Sequence, residues 1–267
     1  MRYNGNMNNT MTYDFLDGVG PVPAHQHSNG GGWVADSTRV VDSAFVGPNA
    51  KVYGNAWVFD HAKVLDNAKV FGNAVVSDAA EVTGAASVSD NASVYGYALV
   101  TGTASVCDHA RVFGNASVSD NSSVSGNAVV SDNASVYGNA SVYDNAWVFG
   151  AARVFDNASV CGYAFVYGNA MVYDNAKVYD NAMVYGNALV YGYAKVYDNA
   201  MVYGNAMVYG NAWVFGNAEV YDNALVYGYA KVYDNAKVYD NTKVCGSDWV
   251  FDYASVCGDA QVYGTAE

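Results

Sequence analysis

Four histidines, four cysteines and a recurring set of aspartates are the residues of this chain best equipped for chemistry. His61 and His109 could act as general acid or base, but that work needs an orienting partner and a pocket. The sequence around them announces neither. His25 and His27 alternate along one short segment, a spacing that could ligate a metal, although a solvated pair is the plainer reading. Cys107, Cys161, Cys245 and Cys257 each follow a valine directly, as tolerated outward residues. Asp144, Asp180, Asp198, Asp234 and Asp252 all fall at multiples of eighteen. Such a row of carboxylates could imitate a nucleic-acid backbone in the basic groove of another enzyme, although Asp-Asn is also ordinary turn chemistry. No nucleotide loop, paired-carboxylate site or cluster of metal ligands is legible, so neither cofactor nor metal is expected.

What must position these residues is a repeat. Valine occupies every sixth position from Val34 to Val262, thirty-nine times without a miss. The unit reads Ala-x-Val-Tyr-(Gly/Asp)-Asn, as in Ala170-Met171-Val172-Tyr173-Asp174-Asn175. A fixed short period predicts a solenoid in which each unit buries its apolar side against the next. Alternation within Ala-x-Val-Tyr points Ala and Val inward and x and Tyr outward. The Gly/Asp-Asn pair tolerates the left-handed backbone region and predicts a corner. Four inward positions depart from Ala: Thr38, Ser122, Thr242 and Asp248. Asp248 is read as a local irregularity that hydrogen-bonds backbone near the last coils.

Bulk properties narrow the function classes. A net charge of -13 disfavours direct contact with nucleic-acid phosphates. No apolar run approaches the ~18 residues of a membrane-spanning helix. The N-terminus lacks the apolar core of a signal peptide, and unpaired thiols suit a reducing compartment, so the expected location is the cytoplasm.

The in-frame units of residues 33–267 resemble the hexapeptide-repeat superfamily, in which an aliphatic residue alternates with a Gly/Asp-Asn-Ala stretch. That resemblance implies an all-β fold, a single-stranded left-handed parallel β-helix with three strands per coil. Thirteen coils would follow, a rod of about 60 Å. Residues 1–32, with Tyr13, Phe15, Leu16, Val19 and Val22 among Gly, Pro and Asn, are the expected cap over the first coil. The segment His27-Ser28-Asn29-Gly30-Gly31-Gly32-Trp33-Val34-Ala35 also resembles the opening of repeat proteins encoded by bacteriophages and prophages. Three units per coil would put His61 and His109 on different corners, about 13 Å apart along the axis, too far to share a zinc. Cys107 and Cys161 would share a face three coils apart, about 14 Å, too far for a disulfide.

Sorting outward residues by every third unit gives three faces. The third carries Met171, Leu189, Met207 and Leu225, flanked by Tyr173, Tyr191, Tyr209 and Tyr227. An apolar strip four coils tall has the size of an interface, and its residue types suit one. Trp147, Trp213 and Trp249 are further anchors, where stacking could also serve a glycan. The expected function is a non-catalytic binding protein whose partner is another protein or its own copies, without direct nucleic-acid binding and without a membrane. Three alternatives stand beside it: charge mimicry by a phage inhibitor, a hexapeptide acyltransferase, and ice binding by the Ser-Val-Ser stretches around Ser87, Ser117 and Ser123. The acyltransferase lacks the extruded loop of its relatives, and the serine stretches are brief and split between faces.

Overall fold

In a computed structural model, which describes residues 11–263, each hexapeptide forms one side of a three-sided coil. The result is an all-β parallel solenoid of about thirteen turns, built of sheets with fifteen, thirteen and thirteen strands. Face I begins at Trp33–Ala35 and reaches Trp249–Val250, face II runs from Arg39–Val40 to Ser255–Val256, and face III from Phe45–Val46 to Gln261–Tyr263. Each strand from Trp33–Ala35 to Lys243–Cys245 pairs in parallel register with the strand eighteen residues on, so Val172 faces Val190 and Val190 faces Val208. No helix of the described residues is long and apolar enough to cross a membrane.

Most strands are two residues long, x-Val, rather than the four extended residues the alternation predicts. The side of the prism is too short for more, but the hydrogen-bond ladder continues round the corner. Lys177 N donates to Ala194 O at 2.9 Å, Tyr179 N to Val196 O at 3.0 Å and Asn181 N to Asp198 O at 2.8 Å. Corners turn through the left-handed region: Asp198 has φ 59° and Gly216 φ 69°. Glycine adopts that region at no steric cost, and a short polar side chain can hydrogen-bond locally to offset it. Asp198 does so, its Oδ2 accepting from Gly216 N at 3.1 Å in the next coil.

Inside the coil, Ala and Val are sealed from water from Ala44 to Val244; Ala188, Val190, Ala206 and Val208 are all 0% exposed. Each valine so buried contributes about 1.5–3 kcal/mol relative to an exposed one. The inward exceptions solve their polarity differently. Ser122 Oγ donates to Ser119 O at 2.6 Å, and Thr38 Oγ1 to Ala35 O at 2.7 Å. Among the described residues, Thr242 Oγ1 and Asp248 Oδ2 are buried with no hydrogen-bond partner. That Asp248 oxygen therefore binds no backbone group of the described residues, contrary to what the sequence suggested. An unsatisfied buried polar group costs about 1–3 kcal/mol, so Asp248→Ala, which restores the repeat residue, should raise the melting temperature. An unchanged or lowered melting temperature would show that the carboxylate holds something in place.

The cap expected over 1–32 extends into residues 1–10, which lie outside the described residues. Its described part adds two antiparallel strands to face I, β1 (Thr12–Tyr13) on β2 (Val22–Gln26) on β3 (Trp33–Ala35). Phe15 is 1% exposed and stacks on Tyr53 at 4.9 Å, the spacing of the aromatic columns farther along. It fills the place left ringless by Ala35. Leu16 and Val19, by contrast, stand in solvent.

Candidate functional site

Because register is strict, outward side chains stack into columns, and the columns are the candidate sites. On face III, Met171, Leu189, Met207 and Leu225 lie on consecutive paired strands, each half-buried. Beside them Tyr173, Tyr191, Tyr209 and Tyr227 stack at 4.8–4.9 Å with their planes within 5°. Offset-stacked rings at this spacing are favourable. The strip read from the sequence is thus one continuous surface.

The tryptophans are not one surface. Trp147 belongs to face II, tilted 6.1 Å from Phe165, whereas Trp213 and Trp249 belong to face I. Those two indoles are turned out of the neighbouring ring stack, at 71° to Tyr197 and 74° to Tyr233. Ammonium groups pack against them instead. Lys195 Nζ lies 4.5 Å from the Trp213 ring, and Lys231 Nζ lies 4.9 Å from Trp213 and 5.0 Å from Trp249.

Stacking shields the tyrosine hydroxyls. Burial pushes Tyr179 up to about 12, helped by Tyr197 and the carboxylates Asp180 and Asp198. Tyr227 also reaches about 12, through a hydrogen bond with Cys245 and then burial. On face II, burial raises Tyr203 strongly, and its hydroxyl donates to Glu219 Oε2 at 2.9 Å. Burial alone would raise the Glu219 carboxyl; hydrogen bonds from Lys237, at 2.9 Å, and Tyr203 outweigh it and leave it below the usual range.

The histidines do not converge. His61 lines a shallow corner notch with Asp60, Asp78, Ala79 and Tyr97, and His109 sits on another corner. His25 Nδ1 pairs with Asp36 at 2.8 Å in solvent, whereas His27 is 5% exposed and its Nε2 has no partner among the described residues. The two are therefore not the solvated pair expected, because neighbours two apart on a bent segment meet different surroundings. Cysteines 107, 161, 245 and 257 are all free thiols. Asp90, Cys107 and Asp108 bring three potential ligand atoms within 4.8 Å of one another, a grouping the sequence reading missed because Asp90 lies one coil away. Burial, and then Asp108, pushes the Cys107 thiol up, which disfavours the thiolate a metal would need.

The aspartate row has local work. Asp144 Oδ2 accepts from Gly162 N at 3.2 Å and Asp234 Oδ2 from Asp252 N at 3.3 Å, the same corner bond as Asp198.

Five tyrosines at corner positions, where the repeat has Asn, were overlooked by the sequence reading. Tyr97, Tyr163, Tyr193, Tyr229 and Tyr253 are 61–84% exposed, more than any tyrosine of the stacked columns. Their signal was present as the break in the Asn position.

A family model described as YdcK beta solenoid repeat matches residues 164–180, 176–192, 194–208 and 202–216, the stretch that carries most of the face III strip. No curated protein matches the chain.

Proposed function

We propose that this β-solenoid is a non-catalytic binding protein whose face III strip holds another protein, in the first instance a second copy of itself. The observation that carries this reading is the in-register run Met171, Leu189, Met207 and Leu225 beside four stacked tyrosines. The backbone beneath is paired on both sides, so the surface is held rigid before any partner arrives, which lowers the ordering cost of association. Met and Tyr are also the side chains enriched where protein surfaces meet.

The reading takes the chain as a cytoplasmic relative of hexapeptide-repeat proteins, supported by its unbroken frame. A phage origin is supported by the segment 27–35, and it would make a host protein the other partner. Charge mimicry is the weaker reading, since Asp144, Asp198 and Asp234 are engaged with backbone N–H groups.

Leu189→Lys combined with Met207→Lys places two charges in the centre of the strip. Wild-type protein should sediment as an oligomer, and the variant as a monomer with an unchanged circular dichroism spectrum. A wild type that stays monomeric at high concentration would overturn self-association. Turnover of acetyl-coenzyme A, lost in His61→Ala or His109→Ala, would overturn the non-catalytic reading.

A further inference from the structure

Face I carries a surface separate from the strip. On the corner leading into face III, carboxamides form an unbroken ladder: Asn169, Asn187, Asn205, Asn223 and Asn241 each donate Nδ2 to the next residue's Oδ1 at 3.1–3.2 Å, ending on Asp259. On the corner leading into face I the same positions read Asn175, Tyr193, Asn211, Tyr229 and Ser247. The tyrosines interrupt the ladder, and the Asn175 and Asn211 carboxamides are left outside it. These five residues form one bank of an open groove of about 680 Å³. Lys177, Lys195, Trp213, Lys231 and Trp249 form the other bank.

Four of the groove's residues recur two coils on, whereas Lys177 is followed there by Trp213 and Asn211 by Ser247. Asn175 recurs as Asn211, Tyr193 as Tyr229, Lys195 as Lys231 and Trp213 as Trp249, each thirty-six residues on. At ~4.8 Å per coil the step is about 10 Å. Tyr193 and Tyr229 are 62% and 66% exposed and stack on no other ring among the described residues. The three lysines make no ion pair; those among the described residues are His25–Asp36, Lys63–Glu81 and Lys237–Glu219. The coils of Tyr193 and Asn211 thus offer one exposed ring, one carboxamide outside the ladder, one ammonium without an ion pair and one indole. The next two repeat the ring, ammonium and indole with Ser247 in place of the carboxamide, and Lys177 adds an ammonium in the first coil.

We infer that this groove binds a linear acidic polysaccharide with one carboxylate per disaccharide, laid along the rod axis. An extended pyranose chain advances by about one coil per sugar, so a disaccharide repeat keeps step with the two-coil period. Its carboxylates meet Lys195 and Lys231, its hydroxyls meet Asn175 and Asn211, and its apolar ring faces lie on Tyr193 and Tyr229. Other polymers fit less well. Three residues of an extended peptide also span about 10 Å, but side chains three apart point to opposite sides. A nucleic acid brings a phosphate at every nucleotide against a chain of net charge -13.

Tyr193→Asn combined with Tyr229→Asn restores the residue of the repeat and with it the carboxamide ladder, so this variant should melt no lower than wild type. Titration calorimetry of the full chain would use hyaluronan oligosaccharides long enough to span four coils, a neutral oligomer of N-acetylglucosamine of similar length, and an oligothymidylate. Wild type should bind the hyaluronan oligosaccharide, more weakly as salt rises, and the double variant should lose about tenfold or more in affinity. Lys231→Met should weaken the acidic ligand. Leu189→Lys with Met207→Lys should leave this binding intact, which separates the two surfaces. Equal binding of the neutral oligomer, binding of the oligothymidylate alone, no binding of hyaluronan, or a double variant that binds like wild type would each overturn the inference.

Discussion

Val190→Asp should cost this protein about 3–5 kcal/mol, the scale of a buried charge left without a partner. Val190 is wholly buried between Val172 and Val208, and no polar side chain lines that stretch of the interior. Asp248 is the natural comparison. It occupies an inward position but is only half-buried, on a coil whose following units Ala254 and Ser255 are exposed. Mid-rod there is no such outlet. Since each coil touches only its neighbours, the damage should be local. Hydrogen exchange should show protection lost from the coils around residues 172–208 and kept toward both ends. Uniform loss along the rod would mean that the solenoid unfolds as one unit.

Alkaline titration should unfold the rod rather than merely ionise its surface. Tyr179 and Tyr227 are held up to about 12, and burial raises Tyr173, Tyr185, Tyr191, Tyr197, Tyr203 and Tyr209 as well. In an unfolded chain the phenol titrates near 10. A folded-state value above the unfolded one means that the folded protein retains the proton longer. The stabilisation is therefore complete below pH about 10 and is lost as pH rises through about 12. The ladders stack neutral rings, and neighbouring phenolates at one coil spacing would repel. Tyrosinate absorbance should appear in a cooperative step that coincides with loss of the β circular dichroism signal. Smooth titration near pH 10 with the β signal intact would show that stacking does not depend on the neutral phenol.

The parts of this molecule that depend on spacing alone were legible from the residues. The six-residue frame assigned Val172 and Ala188 to the interior and Met207 and Tyr209 to the same face, and pairing eighteen residues apart made the face III strip continuous. Spacing says which column a side chain joins and nothing about how it sits there. Trp213 shares a column with Lys195 and Lys231, but that its ring meets both their ammonium groups and stands edge-on to Tyr197 is a matter of packing that spacing does not reveal. The significance of Tyr193 was hidden for a related reason. A tyrosine in place of Asn reads as a tolerated substitution until the carboxamide ladder it breaks is seen on another corner. His27 and Phe15 lie before the repeat begins, where no period assigns them a direction, and both proved buried.

The strict register has a consequence for length. Removing residues 188–205 would bring Asn187 directly before Ala206, with every column, corner and interior layer still in sequence. The gain or loss of eighteen residues therefore poses no new folding problem at the junction. Reach and the number of copies of a surface become adjustable in whole steps, as on a ruler cut between its marks. The face III strip could grow by single steps, whereas the groove of face I, with its two-coil contents, would keep its pattern only under steps of two.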